Sequence, residues 1–327
     1  VWFDREQGRL IYNIEDPDFH LLTAGADVDQ QTEIDPTQKA AKVDGRSPSA
    51  ILSSTFSDEL AAHYGGKSKI FAVSVKDRGA VSLAGHAGKA FWFSKSGGEF
   101  VTSTYYYQQY PAWVDEWNGA GHVQAYGGKS WELIFERSDY LFGDADDRDY
   151  ETDFPGFGRT FPHPYGTPDD KYYSTRLTLS PAGDELTLSF ARALIENEEL
   201  GEDEVTDYLA VSFSSTDYVG HLFGASSLEA EDNLARLDRT LAALFEYLDE
   251  RIGLDNTLIV LSADHGQPEA PGYLNARGIR NAHYFDTDAL DKTPAIEALK
   301  GQFGIGEELI EAFFQPYVYL NRDLIRD

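Results

Sequence analysis

The sequence predicts an α/β protein, a three-layer sandwich in which helices cover both faces of a mostly parallel central sheet. Two observations lead to this class. Segments with helical start signals, stop signals and apolar periodicity alternate with short strands, which is typical of βαβ units. The strands are nearly continuous runs of Val, Ile, Leu, Phe and Ala, as expected where a sheet is buried on both faces.

The first helix and strand are predicted between residues 47 and 75. Ser47 is a suitable N-cap, Pro48 suits the first helical turn, and Gly65 suits the position just after a helix. The apolar run "KIFAVSV", Lys69 to Val75, then predicts a strand.

The second helix and strand follow the same logic further along the chain. Ser180 and Pro181 predict the start of a helix, and Gly201 predicts its end. The segment "DYLAVSFS", Asp207 to Ser214, predicts the next strand.

The third helix is predicted to open with a capping box formed by Ser226 and Glu229 and to end at Gly253. Leucines spaced three and four residues apart predict one buried face, at Leu234, Leu237, Leu241, Leu244 and Leu248. The apolar run "TLIVL", Thr257 to Leu261, predicts a buried strand after it.

Residues 80 to 175 lack this regular alternation and are rich in aromatic residues, Gly and Asp. We expect them to form an irregular, aromatic-rich insertion over one edge or mouth of the sheet.

Composition excludes several classes of protein. The chain has 56 acidic and 27 basic residues and a net charge of −29, which disfavours nucleic-acid backbones and anionic membranes as partners. Cysteine is absent, which excludes a disulfide framework and a thiol nucleophile. No apolar run approaches the length of a membrane span. An acidic surface suits a secreted or salt-exposed protein.

Polar clusters follow three of the predicted strands. In an open parallel sheet the carboxyl ends of the strands meet at one edge, where ligands bind. We therefore expect one site that gathers side chains from "KDRG", "STDYVGH" and "SADHG", namely Lys76, Arg78, Asp217, His221, Asp264 and His265.

The two Asp/His pairs predict metal ligands. Asp217 and His221 are four residues apart, which places them on one face of a helical turn, while Asp264 and His265 can both reach the edge from a turn. Aspartate and histidine are suitable zinc ligands, and two neighbouring metals suit phosphoryl transfer. Taken singly, the first pair is equally compatible with an ion pair and the second with a surface turn.

The two cations Lys76 and Arg78 predict a site for an anion. Arginine offers a fork to phosphate oxygens, and lysine offers a point charge. Taken alone, "KDR" favours a solvated turn, but its place beside the two Asp/His pairs favours a phosphate contact.

The segments "SSTDYVGH", "LSADHG", "SVKDRGA", "GKAFWF" and "GEFVTSTYYY" resemble the alkaline phosphatase superfamily. The resemblance covers essentially the whole chain and is strongest to the branch of zinc alkaline phosphatases related to type I phosphodiesterases and nucleotide pyrophosphatases.

The resemblance implies a phosphate monoester hydrolase with two zinc ions and, in a full-length parent, a phosphorylated Thr intermediate. Asp217 and His221 would bind one zinc ion, and Asp264 and His265 the other. Lys76 would contact the transferred phosphoryl oxygens, and so would Arg78. The substrates would be small phosphate esters, with no nucleic-acid or membrane partner, and the location periplasmic or secreted.

Other parts of the family pattern have no match in this sequence. The family also uses an upstream Asp ligand, a Thr nucleophile, an Asn before a "WF"-type segment, and a distant His ligand. Trp2 and Phe3 look like the segment just after that Asn, and the chain contains no methionine. We therefore expect residues 1–327 to be one alkaline phosphatase-like domain that lacks the nucleophile segment and the last ligand segment, and to be inactive alone. The alternatives are a phosphodiesterase or pyrophosphatase of the same fold and a non-catalytic metal-binding fragment.

Overall fold

The structure, a computed structural model, describes residues 1–287 and 289–325. Ten strands and ten α-helices follow one another along this part of the chain. The strands are β1 (Trp2–Asp4), β2 (Arg9–Ile11), β3 (Ile70–Ser74), β4 (Lys89–Ser94), β5 (Glu99–Val101), β6 (Ser130–Trp131), β7 (His163–Pro164), β8 (Tyr208–Ser212), β9 (Ile310–Phe314) and β10 (Tyr317–Leu320). The helices are α1 (Phe56–His63), α2 (Asp77–Ala84), α3 (Ala112–Gly119), α4 (Tyr173–Thr178), α5 (Pro181–Asn197), α6 (Ser215–Phe223), α7 (Leu228–Arg251), α8 (Pro271–Ala276), α9 (Pro294–Phe303) and α10 (Arg322–Ile325).

The central sheet has four strands in the order β5-β4-β3-β8. Strand β3 runs parallel to both of its neighbours, with Ile70 opposite Tyr208 and Phe71 opposite Lys89. Strand β5 is antiparallel to β4 and closes that edge. The sheet is therefore mostly parallel, as predicted.

Alternate residues of β3 face two different helical layers. Phe71 and Val73 pack in one core with Phe190 of α5. Ala72, which points the other way, packs in a second core with Val81 of α2. Because both faces are covered, the central strand is apolar from Ile70 to Val73, and the predicted three-layer sandwich is confirmed.

Two of the three predicted helix starts were wrong. Helix α5 does begin after Ser180, whose hydroxyl caps it, but α1 begins at Phe56 rather than beside Ser47. There the N-cap is Thr55, which exchanges hydrogen bonds with Asp58 in a capping box. Ser47 instead donates its hydroxyl to Asp16 Oδ2 at 2.5 Å in a buried loop.

Helix α7 begins one residue later than predicted, because Ser227 rather than Ser226 accepts a hydrogen bond from the third following residue. Its leucine stripe is only partly buried: Leu244 lies in the interior, while Leu234 is exposed. The leucine spacing predicted the helix correctly, but it predicted more buried leucines than the structure has.

The predicted strand at Thr257–Leu261 was also wrong. These residues form no strand, and the side chains of Leu258 and Val260 are 89 % and 79 % exposed. A strand needs a neighbour that accepts and donates its backbone hydrogen bonds. Among the described strands, the edge strand β8 pairs with β3 alone, so Thr257–Leu261 does not pair with the open edge of the sheet and stays outside it.

The irregular region predicted over residues 80–175 contains more of the sheet than expected. Residues 89–101 supply β4 and β5, two of the four central strands, so this part is not an insertion. The aromatic residues contribute to the main core, where Phe100 stacks on Phe190 with ring centroids 4.3 Å apart and Trp117 meets both rings edge-on.

None of the described helices combines the length and the apolarity that crossing a membrane requires.

Candidate active site

Lys76 and Arg78 lie at the start of a helix, not on the end of the strand. Strand β3 ends at Ser74, Lys76 is the N-cap residue of α2, and Arg78 lies in the first turn. Asp77 between them is buried and accepts hydrogen bonds from Tyr12 Oη at 2.6 Å and from Arg46 Nε at 2.8 Å. These contacts fix the turn and thereby the positions of Lys76 and Arg78.

Lys76 forms an ion pair with Asp217. Its ammonium group donates to Asp217 Oδ2, and it also lies 4.3 Å from the centroid of the Tyr218 ring. Asp217 and Tyr218 belong to α6, which begins three residues after β8 ends. The contact therefore joins the carboxyl ends of two neighbouring parallel strands, where the sequence places the site.

The second oxygen of Asp217 faces two imidazoles. Asp217 Oδ1 lies 3.4 Å from His221 Nε2 and 3.7 Å from His265 Nε2. This oxygen is buried and has no hydrogen-bond partner among the described residues. A buried carboxylate oxygen of this kind is costly unless a cation or a donor satisfies it.

The charges at this corner depend on one another. Burial would raise the pKa of Asp217, but the approach of His221 and the charge of Lys76 outweigh burial and hold that pKa well below its usual range. The same approach to Asp217 raises the pKa of His221, although burial opposes it. Asp217 is therefore a carboxylate throughout the physiological range.

Asp264 stands apart from the other three side chains. Its side chain is 88 % exposed. Among the described residues its carboxylate has polar contacts with the adjacent His265 alone: it accepts from His265 N at 3.0 Å and lies 3.4 Å from His265 Nε2. The structure thus brings Asp217, His221 and His265 together and leaves Asp264 at the rim.

The side chains at this corner are of the types that bind metal ions. Carboxylate oxygens and imidazole nitrogens are among the ligands that catalytic zinc sites use. The orphaned Asp217 Oδ1 is the atom that such an ion would satisfy. Across residues 1–287 and 289–325, however, no three or more His, Asp or Glu side chains are arranged so that they could together hold a metal ion.

The partners of Arg78 could not be found from the sequence. Its Nη1 donates to Asp35 Oδ2 at 2.7 Å and to the hydroxyl of Thr37. These residues lie 43 and 41 positions upstream, in a stretch with no helical or strand periodicity. The sequence indicates that a partly buried arginine needs a carboxylate partner, but it does not indicate which of the many acidic residues supplies it.

Comparison with known protein families matches residues 2–318 to the type I phosphodiesterase/nucleotide pyrophosphatase family. The chain belongs to this family. The match covers almost the whole sequence and includes every candidate site residue, and it confirms the resemblance drawn from the motifs.

Several curated proteins resemble the chain. Alkaline phosphatase PhoV of Synechococcus elongatus is 39% identical over 84% of this chain and 47% of its own length. A protein of Myroides odoratus named calcium-transporting ATPase is 37% identical over 96% of this chain and 58% of its own. Alkaline phosphatase PafA of Elizabethkingia meningoseptica is 32% identical over the whole chain and 57% of its own. The chain thus spans about half the length of these relatives.

Solved structures of PafA confirm the predicted fold. The wild-type enzyme superposes with a TM-score of 0.84 at 32% identity, over 99% of this chain and 59% of that one. A variant with a Thr, an Asn, a Lys and an Arg replaced superposes with a TM-score of 0.82 at 31% identity. The replaced Lys and Arg of PafA are two positions apart, which is the spacing of Lys76 and Arg78.

Proposed function

We propose that this protein is, or is the central part of, a zinc-dependent phosphate monoester hydrolase of the alkaline phosphatase type. One observation carries the proposal: Lys76, Arg78 and the Asp217 carboxylate with its two facing imidazoles lie at the carboxyl edge of the parallel strands. The names of the relatives PhoV and PafA support the same activity.

The proposed substrates are small phosphate esters. The chain carries a net charge of −29, so most of its surface repels anions. Two cations side by side at the ligand-binding edge of the sheet would give an anionic substrate a local positive site. Arg78 would bind phosphoryl oxygens through its fork, and Lys76 would add a compact charge. Both cations would strengthen their contacts as negative charge builds up on the phosphoryl oxygens in the transition state.

Zinc would supply, when bound, positive charge that stabilises the attacking and the leaving oxygen together. Asp217 and His221 would hold one ion, and Asp264 and His265 a second. The chain's own part is to present a carboxylate that keeps its charge, because the pKa of Asp217 is held low against the effect of burial by His221 and Lys76. A periplasmic or secreted location accords with this activity and with the acidic surface.

Diester or pyrophosphate hydrolysis is the alternative within the same family. In a diester, a bulky group occupies the position where a monoester has a free phosphoryl oxygen. Lys76 and Arg78 together would bind this free oxygen of the monoester. The presence of both Lys76 and Arg78 therefore favours the monoester.

The test is to remove the two cations in the longest protein that carries this chain. We expect Lys76→Ala and Arg78→Ala each to lower kcat/KM for an aryl phosphate monoester by about 10²-fold, since each removes a donor aimed at transition-state charge. The same variants should change the hydrolysis of a bis-aryl diester severalfold at most. Lys67→Ala provides the matched control, because Lys67 is exposed and precedes the opposite end of β3.

Equal losses on both substrates would exclude the monoesterase assignment in favour of the diesterase. An unchanged monoester rate in both variants would show that the cations do not bind the phosphoryl group, and the proposed function would be wrong.

A further inference from the structure

The guanidinium group of Arg78 is held on one side only. Its Nη1 donates one hydrogen bond to Asp35 Oδ2 and one to the Thr37 hydroxyl, which accounts for both Nη1 hydrogens. Arginine has five N–H donors, so three remain, on Nε and Nη2. None of these three has a partner among the described residues, and the Arg78 side chain is 32 % exposed. The free edge Nε–Nη2 is one that binds oxyanions through two parallel hydrogen bonds.

Asp35 is itself fixed before it meets Arg78. It belongs to the acidic loop, defined here as residues 29–37. Its Oδ1 accepts hydrogen bonds from the backbone N–H of Thr37 at 2.8 Å and from the Thr37 hydroxyl at 2.5 Å, which leaves Oδ2 for Arg78. Its backbone N–H donates to Glu33 Oε1 at 2.9 Å. The carboxylate therefore has a single orientation.

The acidic loop is bound to the sheet by a buried ion pair. Both oxygens of Glu33 accept from Lys95 Nζ, at 2.7 and 2.8 Å, and both side chains are almost fully buried. Lys95 follows the last residue of β4 and also donates to Tyr218 Oη at 2.8 Å. Lys95 thus links the loop to Tyr218, the residue whose ring Lys76 also contacts.

The electrostatics agree with this geometry. Burial would raise the pKa of Asp35, but the charge of Arg78 outweighs burial and lowers it. Asp35 is therefore ionised wherever an alkaline phosphatase works, and a charged carboxylate facing Nη1 fixes the plane of the guanidinium as well as its place.

We infer that Asp35 is a positioning residue for the phosphoryl group: with Thr37, it holds the Arg78 guanidinium by Nη1 and thereby presents the Nε–Nη2 edge to two phosphoryl oxygens. This inference rests on the proposed function, because it needs Arg78 to contact the phosphoryl group. Asp35 does not touch the substrate and acts only through Arg78.

The inference is tested with Asp35→Asn in the longest protein that carries this chain. We expect kcat/KM for an aryl phosphate monoester to fall about tenfold, because a misplaced contact costs rate even when its charge is retained. The affinity for inorganic phosphate, measured by titration calorimetry, should fall with it, and diester hydrolysis should change little. In an Arg78→Ala background, Asp35→Asn should have no further effect on either quantity.

Asp29→Asn is the matched control, since it removes the same charge from the same loop at an exposed residue that does not contact Arg78. Thr37→Val provides a second variant in case Asp35→Asn fails to fold, and it should lower the monoester rate about threefold by removing the other Nη1 acceptor.

The outcomes separate the two claims. If Arg78→Ala leaves monoester hydrolysis and phosphate binding intact, the proposed function is wrong, and so is the inference. If Arg78→Ala is defective while Asp35→Asn and Thr37→Val behave as wild type, only the inference is wrong. A full extra loss from Asp35→Asn in the Arg78→Ala background, or an equal loss from Asp29→Asn, would also overturn it.

Discussion

His163 and Glu229 form a fully buried pair between β7 and α7. Glu229 Oε1 lies 3.2 Å from His163 Nε2, and His163 Nδ1 lies 3.2 Å from the Phe157 carbonyl. Burial raises the pKa of Glu229 to about 8. Burial also lowers the pKa of His163 to about 4. Both groups are therefore neutral near pH 7, with the Glu229 carboxyl donating to Nε2 and the imidazole donating to the Phe157 carbonyl.

This pair makes stability depend on pH. The pKa of Glu229 in the folded chain, about 8, lies above the ordinary value of 4.5, so the folded state holds a proton that the unfolded state releases. The stability from this group is complete below pH 4.5 and is lost as the pH rises towards 8. Glu229→Gln keeps a neutral donor that does not titrate. Between pH 5 and pH 8 we therefore expect the free energy of unfolding to fall less in this variant than in wild type. The difference between the two decreases should be on the order of a few kcal/mol.

Urea unfolding at both pH values measures this difference. Glu250→Gln is the control, because Glu250 is exposed on the same helix. Some pH dependence should persist in Glu229→Gln, since burial is the main cause that raises the pKa of Glu151 to about 8. A wild-type slope in Glu229→Gln would contradict the neutral pair.

At the scale of elements, two apolar runs of similar composition adopt different structures. "IFAVS" is the central strand β3, with every residue buried, whereas "TLIVL" lies exposed outside any strand. Hydrophobicity alone does not bury a segment; backbone hydrogen bonds on at least one side must be available, and β3 has them on both.

Valine-to-alanine substitutions in these two runs should therefore differ. Val73 is completely buried in β3, and Val73→Ala removes two carbon atoms from a packed core, so it should lower the free energy of unfolding by about 2 kcal/mol. Val260→Ala removes the same atoms from an exposed side chain and should cost within about 0.5 kcal/mol. Denaturant unfolding of the two variants under one set of conditions measures both. A cost at Val260 as large as that at Val73 would show that Thr257–Leu261 is buried in solution.

At the scale of the whole molecule, the candidate site draws on segments far apart in the chain. Lys76 and Arg78 follow β3, Asp217 and His221 lie in α6 after β8, and His265 comes from an exposed segment further on. Asp217 and the two imidazoles that face its Oδ1 supply fewer ligands than two zinc ions require, and Asp264 is not assembled with them.

We therefore expect the 327-residue chain by itself to bind fewer than two zinc ions and to turn over aryl phosphate poorly or not at all. Zinc per chain by elemental analysis and aryl phosphate turnover, compared with a longer protein that contains this chain, measure both. Asp217→Asn should lose most of the zinc that the chain retains. Two tightly bound ions and robust turnover by the chain alone would instead show that the nucleophile lies within residues 1–327. The first candidates to test would then be Thr216, whose Oγ1 accepts a hydrogen bond from Asn233 at 2.9 Å, and His283.

Local signals were sufficient for much of the fold and for part of the site. The apolar runs at β3 and β8 predicted the parallel sheet, because a strand buried on both faces must be apolar throughout. The spacing of Asp217 and His221 predicted one helical face, and α6 provides it. These features depend on residues within a few positions of one another, so the sequence by itself determined them.

Tertiary structure alone decided which partner each segment meets. Whether "TLIVL" becomes a strand depends on whether the rest of the chain packs it against an edge of the sheet, which its own residues do not encode. The choice of Asp35 as the partner of Arg78 depends on how a loop 43 residues upstream crosses the edge of the sheet. The pairing of Lys76 with Asp217 spans 141 residues. Side-chain contacts over such separations follow from the packing of the whole chain, because many acidic residues could neutralise a given cation and only the fold brings one of them within reach.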